Sequence, residues 1–261
     1  MPRKIKLIVT DLDGTFLREN KTVSDYTKAV FSRCREAGIK LAYATGRGVS
    51  AHGVTPPGLF DGKIIMNGAI AKIGDDIVYR RFIPCELVRP FLIACDKRGI
   101  KITTVFNKTR YSNYIMSQIT DFQIVDFAQH EMDAEEIYTY NPSADDKLFM
   151  QRSMPNGLYL VTSSNRLDTL LQITHKEATK SKAVMALAKI WGITETEIAT
   201  FGNDFNDIDM LEYAGTGVAV ANAFDEVKAA ANHICDTNDN DGVAKWIDEN
   251  ILGRVSTEEI E

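Results

Sequence analysis

Short apolar runs alternate with amphipathic stretches along most of this chain. Residues 5–10 are apolar and rich in β-branched side chains, the signature of a buried strand. Ser24 is placed to cap a helix running to about residue 37, with Asp25 in its first turn and Gly38 ending it. Residues 39–44 and 64–66 read as further buried strands. Strand, helix, strand at this spacing predicts a parallel sheet with crossover helices. The C-terminal third repeats the grammar. Val184, Leu187, Ala188 and Trp191 form the apolar stripe of a helix over 180–191. Thr194-Glu195-Thr196-Glu197 fits a capping box on a short helical turn. Strands at 198–201, 217–220 and Ile234 alternate with helices at 207–213, 225–231 and 243–251, before a polar, frayed tail over 254–261.

The middle of the chain has a different pattern. Residues 69–79 predict a hairpin turning at Gly74-Asp75, and Pro84 opens a helix that ends at Gly99. Strand-like runs follow at 101–106, 137–140, 158–163 and 167–174, with a helix within 145–152. Strands and helices are segregated here, as in an antiparallel α+β unit. The expected fold is therefore α/β: a doubly wound parallel sheet built from residues 1–80 and 177–261, interrupted by an inserted α+β cap over 81–176.

Composition narrows the function classes. Apolar residues make up 44% of the chain and charged residues 25%, ordinary values for a globular protein with a sizeable core. A net charge of −6, with acids spread along the chain, argues against nucleic acid as a partner. Residues 5–9 are too short for a signal-peptide core, and no window approaches the ~18 apolar residues of a membrane span, so the expectation is a cytoplasmic protein with no membrane partner. Cys34, Cys85, Cys95 and Cys235 have no redox or zinc-knuckle spacing and read as reduced, partly buried thiols. No long exposed apolar segment asks for a large assembly, leaving a monomer or small homo-oligomer.

Candidate chemistry gathers where strands end. Asp11-Leu12-Asp13-Gly14-Thr15 follows the first strand directly, and ligands of open parallel sheets bind at the carboxyl ends of strands. One carboxylate there can attack phosphorus, the other can move a proton, and both can hold a hard cation. Taken alone, two acids and a glycine describe an acidic surface loop at least as well. Thr45-Gly46-Arg47 follows the second strand, offering a hydroxyl, backbone N–H groups and a cation to phosphoryl oxygens, or merely a turn. Lys180 opens a helix, an odd place for a structural cation because the helix N-terminus is already partly positive. Lys176 and Lys182 compete for its role. Gly202-Asn203-Asp204-Phe205-Asn206-Asp207 lies at another strand end and suits both a helix cap and a metal site. All these clusters fall at one edge of one predicted sheet, and acids, a hydroxyl and a lysine together are what phosphoryl transfer needs.

With these residues in view, the chain resembles the haloacid dehalogenase superfamily, specifically its Cof-type sugar-phosphatase branch with a large inserted cap. The resemblance rests on Asp11 to Thr15, Ala44-Thr45-Gly46-Arg47, Asn67-Gly68-Ala69, Lys180 with Ala183, Gly202 to Asp207 with Met210-Leu211, 217–223 and 241–244. It covers both core segments, and no cap motif matches. It implies a Rossmann-like core, Asp11 as nucleophile, Asp13 as general acid then base, and Thr45 and Lys180 on the phosphoryl group. It further implies Gly46, Arg47, Asn67 and Asn206 facing substrate. Mg2+ is then held by Asp11, the Asp13 carbonyl, Asn203 and Asp207. The family prefers Asp where this chain has Asn203, so either Asn203 ligates with Asp207 compensating, or Asp204 takes the role. Ser181 stands where glycine is usual after the lysine.

The implied activity is magnesium-dependent hydrolysis of a small phosphorylated metabolite, a phosphate monoester of the sugar-phosphate class, through an aspartyl-phosphate. Cap closure would select the substrate, with Thr104, Asn107, Arg110 and Tyr111 as loop-placed readers of the leaving group. The alternatives are a phosphomutase or phosphotransferase on the same scaffold, and a non-catalytic sugar-phosphate-binding regulator motivated by Asn203.

Overall fold

The computed structural model describes residues 4–48, 53–107, 109–116, 120–164 and 169–253. The expected frayed tail at 254–261, and residues 167–168 of the expected last cap strand, lie outside the described residues. In chain order the elements are β1 (Leu7–Thr10), α1 (Asp25–Glu36), β2 (Lys40–Ala44), β3 (Gly62–Ile65), β4 (Ile70–Ile73) and β5 (Asp76–Arg80). Then come α2 (Cys85–Lys97), β6 (Thr103–Phe106), β7 (Thr109–Ser112), β8 (Gln123–Ile124), β9 (Glu136–Tyr140), α3 (Ala144–Ser153), β10 (Leu158–Ser164) and β11 (Thr169–His175). The chain closes with α4 (Lys180–Trp191), β12 (Ile198–Gly202), α5 (Ile208–Tyr213), β13 (Thr216–Val220), α6 (Asp225–Ala230), β14 (His233–Cys235) and α7 (Gly242–Ile247).

The elements divide into two compact units, one of residues Met1–Arg80 with Thr179–Glu261 and the other of Arg81–Ala178. The first holds an eight-stranded sheet in the order β14-β13-β12-β1-β2-β3-β4-β5. Strands β14 to β3 run parallel, and the β4–β5 hairpin extends the sheet antiparallel beyond β3. From β1 the chain winds outward through β2 and β3, and later returns on the other side of β1 as β12, β13 and β14. That reversal opens the crevice at the carboxyl ends of β1 and β12, where open α/β sheets bind ligands.

Each face of this sheet is buried, which is why Leu7, Ile8 and Val9 of β1 are all apolar. On one face Leu7, Val9, Ala42, Ala44 and Ile64 meet Ala183, Val184, Leu187 and Ala188 of α4. Full burial of a leucine such as Leu187 contributes about 1.5–3 kcal/mol. On the other, Phe16, Phe31, Tyr43 and Phe60 pack edge to face with ring centroids 4.9–5.7 Å apart. Ala42 and Tyr43 thus serve opposite layers, as the period of two along a strand requires. Helix α1 begins as expected, with the Ser24 hydroxyl accepting from the Thr27 N–H at 3.0 Å and Asp25 in the first turn. The capping box at Thr194 and Glu197 also forms, on a single helical turn.

The second unit is α+β. Its six-stranded sheet runs β10-β11-β9-β6-β7-β8, antiparallel apart from the β7–β8 pair. Val88, Phe91, Leu92 and Cys95 of α2 and Met150 of α3 cover Ile137, Leu171 and Ile173. Strands β7 and β8 were not anticipated, which corrects the expected loop placement of Arg110 and Tyr111; that of Thr104 gives way to the strand expected over 101–106. Thr104 lies in β6, fully buried, and Arg110 and Tyr111 lie in β7; Asn107 sits in the turn between those strands with a φ of 47°. All four cysteines are free and buried. Among the described residues no helix is long and apolar enough to cross a membrane.

Candidate active site

Asp11 is the first residue beyond β1, and its N–H donates to the Phe201 carbonyl of β12 at 2.9 Å. The carboxyl end of β1 is thereby clamped to its neighbour across the crevice. Lys180, first residue of α4, reaches the same place. Its Nζ lies 2.8 Å from Asp11 Oδ1 and 2.6 Å from Asp207 Oδ1, and the lysine is 1% exposed. Lys176 and Lys182 are both exposed. The other oxygen of Asp207 accepts the N–H groups of Asn203 at 2.9 Å and Asp204 at 3.0 Å. Gly202 makes this fold of the loop possible: a Cβ there would stand 2.4 Å from Asp207 Cβ.

Thr45 follows β2 in the same way, 2% exposed, with its hydroxyl accepting the Arg47 N–H at 3.2 Å. Its carbonyl accepts the Asn67 N–H at 3.1 Å. Gly46 lies against the Asn67 side chain, and Asn206 Nδ2 donates to Asn67 Oδ1 at 2.8 Å. Thr45, Gly46, Asn67 and Asn206 are therefore one hydrogen-bonded neighbourhood. Arg47 turns elsewhere. Its Nε and Nη2 fork onto Asp13 at 2.5 and 2.6 Å, and Lys21 Nζ joins them at 2.9 Å. Lys21 was missed in the sequence, where nothing marks it; only the folded loop brings it to Asp13.

Asn203 faces the β1 loop. Its Oδ1 accepts the Thr15 hydroxyl at 2.9 Å, and its side chain lies on Gly14, which has a φ of 81°. A methyl group on Gly14 would stand 2.7 Å from Asn203 Nδ2. Asp204 faces its own turn, accepting from the Phe205 N–H at 2.7 Å. Of the two candidates for the ligand position, Asn203 is the one beside the Asp11–Thr15 loop. Ser181 is accommodated too, its N–H donating to Asp209 Oδ2 at 2.9 Å.

Burial dominates the electrostatics. It pushes the Asp11 carboxyl up to about 7, with Lys180 pulling down and Asp207 pushing up. Burial also works against the Lys180 ammonium, but the Asp11 and Asp207 carboxylates outweigh it and the net shift is upward. For Asp13 burial raises the pKa, yet the hydrogen bonds from Arg47 and Lys21 prevail and hold it below the usual carboxylate range. Its partner Arg47 is raised, first by the Asp13 hydrogen bond.

The sequence model of haloacid dehalogenase-like hydrolases matches residues 8–247. The chain belongs to that family. It is 26% identical to a putative phosphatase of Haemophilus influenzae, over 94% of this chain and 97% of that protein. It is also 26% identical to YitU of Bacillus subtilis, a 5-amino-6-(5-phospho-D-ribitylamino)uracil phosphatase, over 95% of this chain and 98% of that one. The solved structure of BT4131, a sugar phosphatase of haloacid dehalogenase subclass IIB, superposes with a TM-score of 0.79 at 25% identity, covering 94% of this chain and 98% of that one.

Haloacid dehalogenase phosphatases generally use a divalent metal, and the residues present fit one. The buried set of Asp11, Asp207 and Lys180 carries two carboxylates against one ammonium, a net negative charge that a cation would offset. The donors at hand are all oxygens: the Asp11 carboxylate, the Asp13 carbonyl and the Asn203 amide, a hard set suited to Mg2+ or its like. Among the described residues no group of three or more His, Cys, Asp or Glu side chains gathers as ligands. Asp207, grouped with the ligands on sequence grounds, has Oδ1 on Lys180 and Oδ2 on two loop N–H groups. Its contacts hold the lysine and shape the loop.

Proposed function

We propose that this hydrolase is a magnesium-dependent phosphatase of small phosphorylated metabolites, of the sugar-phosphate class, working through an aspartyl-phosphate on Asp11. The observation that carries the reading is the desolvated Asp11 carboxylate held 2.8 Å from a fully buried Lys180 ammonium at the topological switch of the sheet. A carboxylate fixed on one oxygen presents the other for in-line attack.

In this mechanism Asp11 forms the new O–P bond as the ester O–P bond breaks, and Asp13, able to hold a proton once Arg47 leaves it for the substrate, donates that proton to the departing alkoxide. Water then attacks phosphorus, Asp13 takes its proton, and inorganic phosphate leaves with the Asp11 carboxylate restored. Lys180 and the Thr45 hydroxyl bear the charge on the equatorial oxygens, with Arg47 and the Gly46 backbone beside them and Asn67 and Asn206 toward the substrate. Magnesium, held by Asp11, the Asp13 carbonyl and Asn203, would supply further neutralisation of the two meeting anions. None of these residues lies in the inserted unit, Arg81–Ala178.

The test is release of inorganic phosphate from p-nitrophenyl phosphate and a panel of sugar phosphates, with magnesium and with chelator. Magnesium-dependent release with a ranked panel is the expected result. The amide at position 203 favours one other reading, binding without turnover; stabilisation by sugar phosphates with no phosphate release would support that instead.

A further inference from the structure

Arg47 faces two demands. As a phosphoryl-binding cation it must turn to the substrate, yet its fork is closed on Asp13 at 2.5 and 2.6 Å. The other cation on Asp13 is Lys21, 2.9 Å from Oδ1. Lys21 arrives from a flap, residues 14–22, that folds back on itself: the Arg18 N–H donates to Thr22 O at 3.1 Å and the Lys21 N–H to Arg18 O at 2.8 Å. To make this turn Lys21 takes a φ of 63°. A non-glycine residue stays in the left-handed region only where its surroundings over-determine it.

Arg18 grips Asp241 through Nε at 3.3 Å and Nη2 at 2.7 Å, and the Thr27 hydroxyl donates to the same carboxylate at 3.2 Å. The Glu19 N–H donates to Asp239 at 2.9 Å, and Asn238 Nδ2 donates to the Leu17 carbonyl at 2.9 Å. Residues more than two hundred positions downstream thus pin the flap through Leu17, Arg18 and Glu19.

We propose that Lys21 is a positioning residue. It keeps the Asp13 carboxyl aimed for proton transfer once Arg47 has turned to the substrate, and the Asp241 grip on Arg18 sets where Lys21 stands. The inference rests on the phosphatase reading above. Proton transfer demands hydrogen-bond reach, and the Asp13 side chain is 36% exposed, so without a fixed partner its carboxyl would swing among rotamers. Because the need arises only after substrate has engaged Arg47, its loss falls on kcat and spares KM.

The experiment is steady-state kinetics on p-nitrophenyl phosphate with magnesium, for wild type, Lys21→Met, Lys21→Arg, Asp241→Asn and the Lys21→Met/Asp241→Asn double variant. Lys21→Met is expected to lower kcat about tenfold with KM within about twofold, a part of the 10²–10⁴ that positioned acid–base catalysis supplies. Lys21→Arg should recover most of the loss, and the double variant should fall little below the worse single one, since coupled residues are not additive. An unchanged kcat in Lys21→Met, a loss carried by KM, or an arginine variant as poor as the methionine one overturns the proposal. A double variant whose losses multiply overturns the Asp241 link. A wild type that releases no phosphate overturns this and the phosphatase reading together; an active wild type with an unaffected Lys21→Met overturns this alone.

Discussion

Lys180 and Asp207 form an ion pair, 2.6 Å from Nζ to Oδ1, in which neither side chain is exposed. The pair joins the start of α4 to the loop after β12, and the same ammonium reaches Asp11. Removing Asp207 leaves Lys180 its bond to Asp11 but strips the Asn203 and Asp204 N–H groups of their acceptor, at about 1–3 kcal/mol for each hydrogen-bonding group left unsatisfied. Asp207→Ala should therefore lower the free energy of urea unfolding by about that amount. A loss below about 1 kcal/mol, the scale of an exposed pair, would contradict the burial described here.

Lys180 has a catalytic consequence as well. Lys180→Ala would leave Asp11 and Asp207 as two buried carboxylates without their shared cation. A preorganised charge of this kind is worth about 10²–10³ in rate, so kcat measured on folded protein should fall by that factor. A drop of only a few-fold would place the phosphoryl charge on another group.

Asn203 brings an oxygen without a charge to the loop beside Gly14 and Thr15. Ligand charge count tunes the affinity of hard cations. Asn203→Asp should lower the magnesium concentration for half-maximal activity about tenfold, the effect of about 1.4 kcal/mol. An unchanged or higher requirement would remove position 203 from the metal site.

How much of this was legible beforehand varied with distance along the chain. The Ser24 cap, the Thr194–Glu197 capping box, the Gly74-Asp75 hairpin and the apolar β1 all rest on neighbouring residues, and each appeared as expected. The grouping of Asp11, Thr45 and the 202–207 loop followed from strand order, because strand ends of a parallel sheet share an edge. Contacts that depend on three-dimensional routing were invisible. Arg110 and Tyr111 read as loop residues because β7 spans only Thr109–Ser112 and exists by pairing with β6. Arg47 and Lys21 converge on Asp13, and Asp207 uses both oxygens inside the protein, through geometry that no spacing encodes.

His130 gives the inserted unit a pH dependence. It is 4% exposed and its Nε2 has no hydrogen-bond partner. Burial, then Arg89, lowers its pKa from the usual value. A depressed pKa means that the unfolded chain binds the proton more readily. Its contribution to stability is full above the unfolded value of about 6.5 and is lost as pH falls below it. Thermal midpoints of wild type should decline between about pH 7 and 5, and His130→Gln should flatten part of that decline. Parallel curves for the two proteins would contradict a buried neutral His130.

The central claim is that Asp11 is the nucleophile, and Asp11→Asn tests it most directly. The substitution keeps shape and one oxygen while removing the attacking carboxylate, so the fold should persist. Phosphate release from p-nitrophenyl phosphate under magnesium is the measurement. The account expects magnesium-dependent release by wild type and none above the chelated control by the variant. Release by a folded Asp11→Asn at anything near the wild-type rate would contradict it.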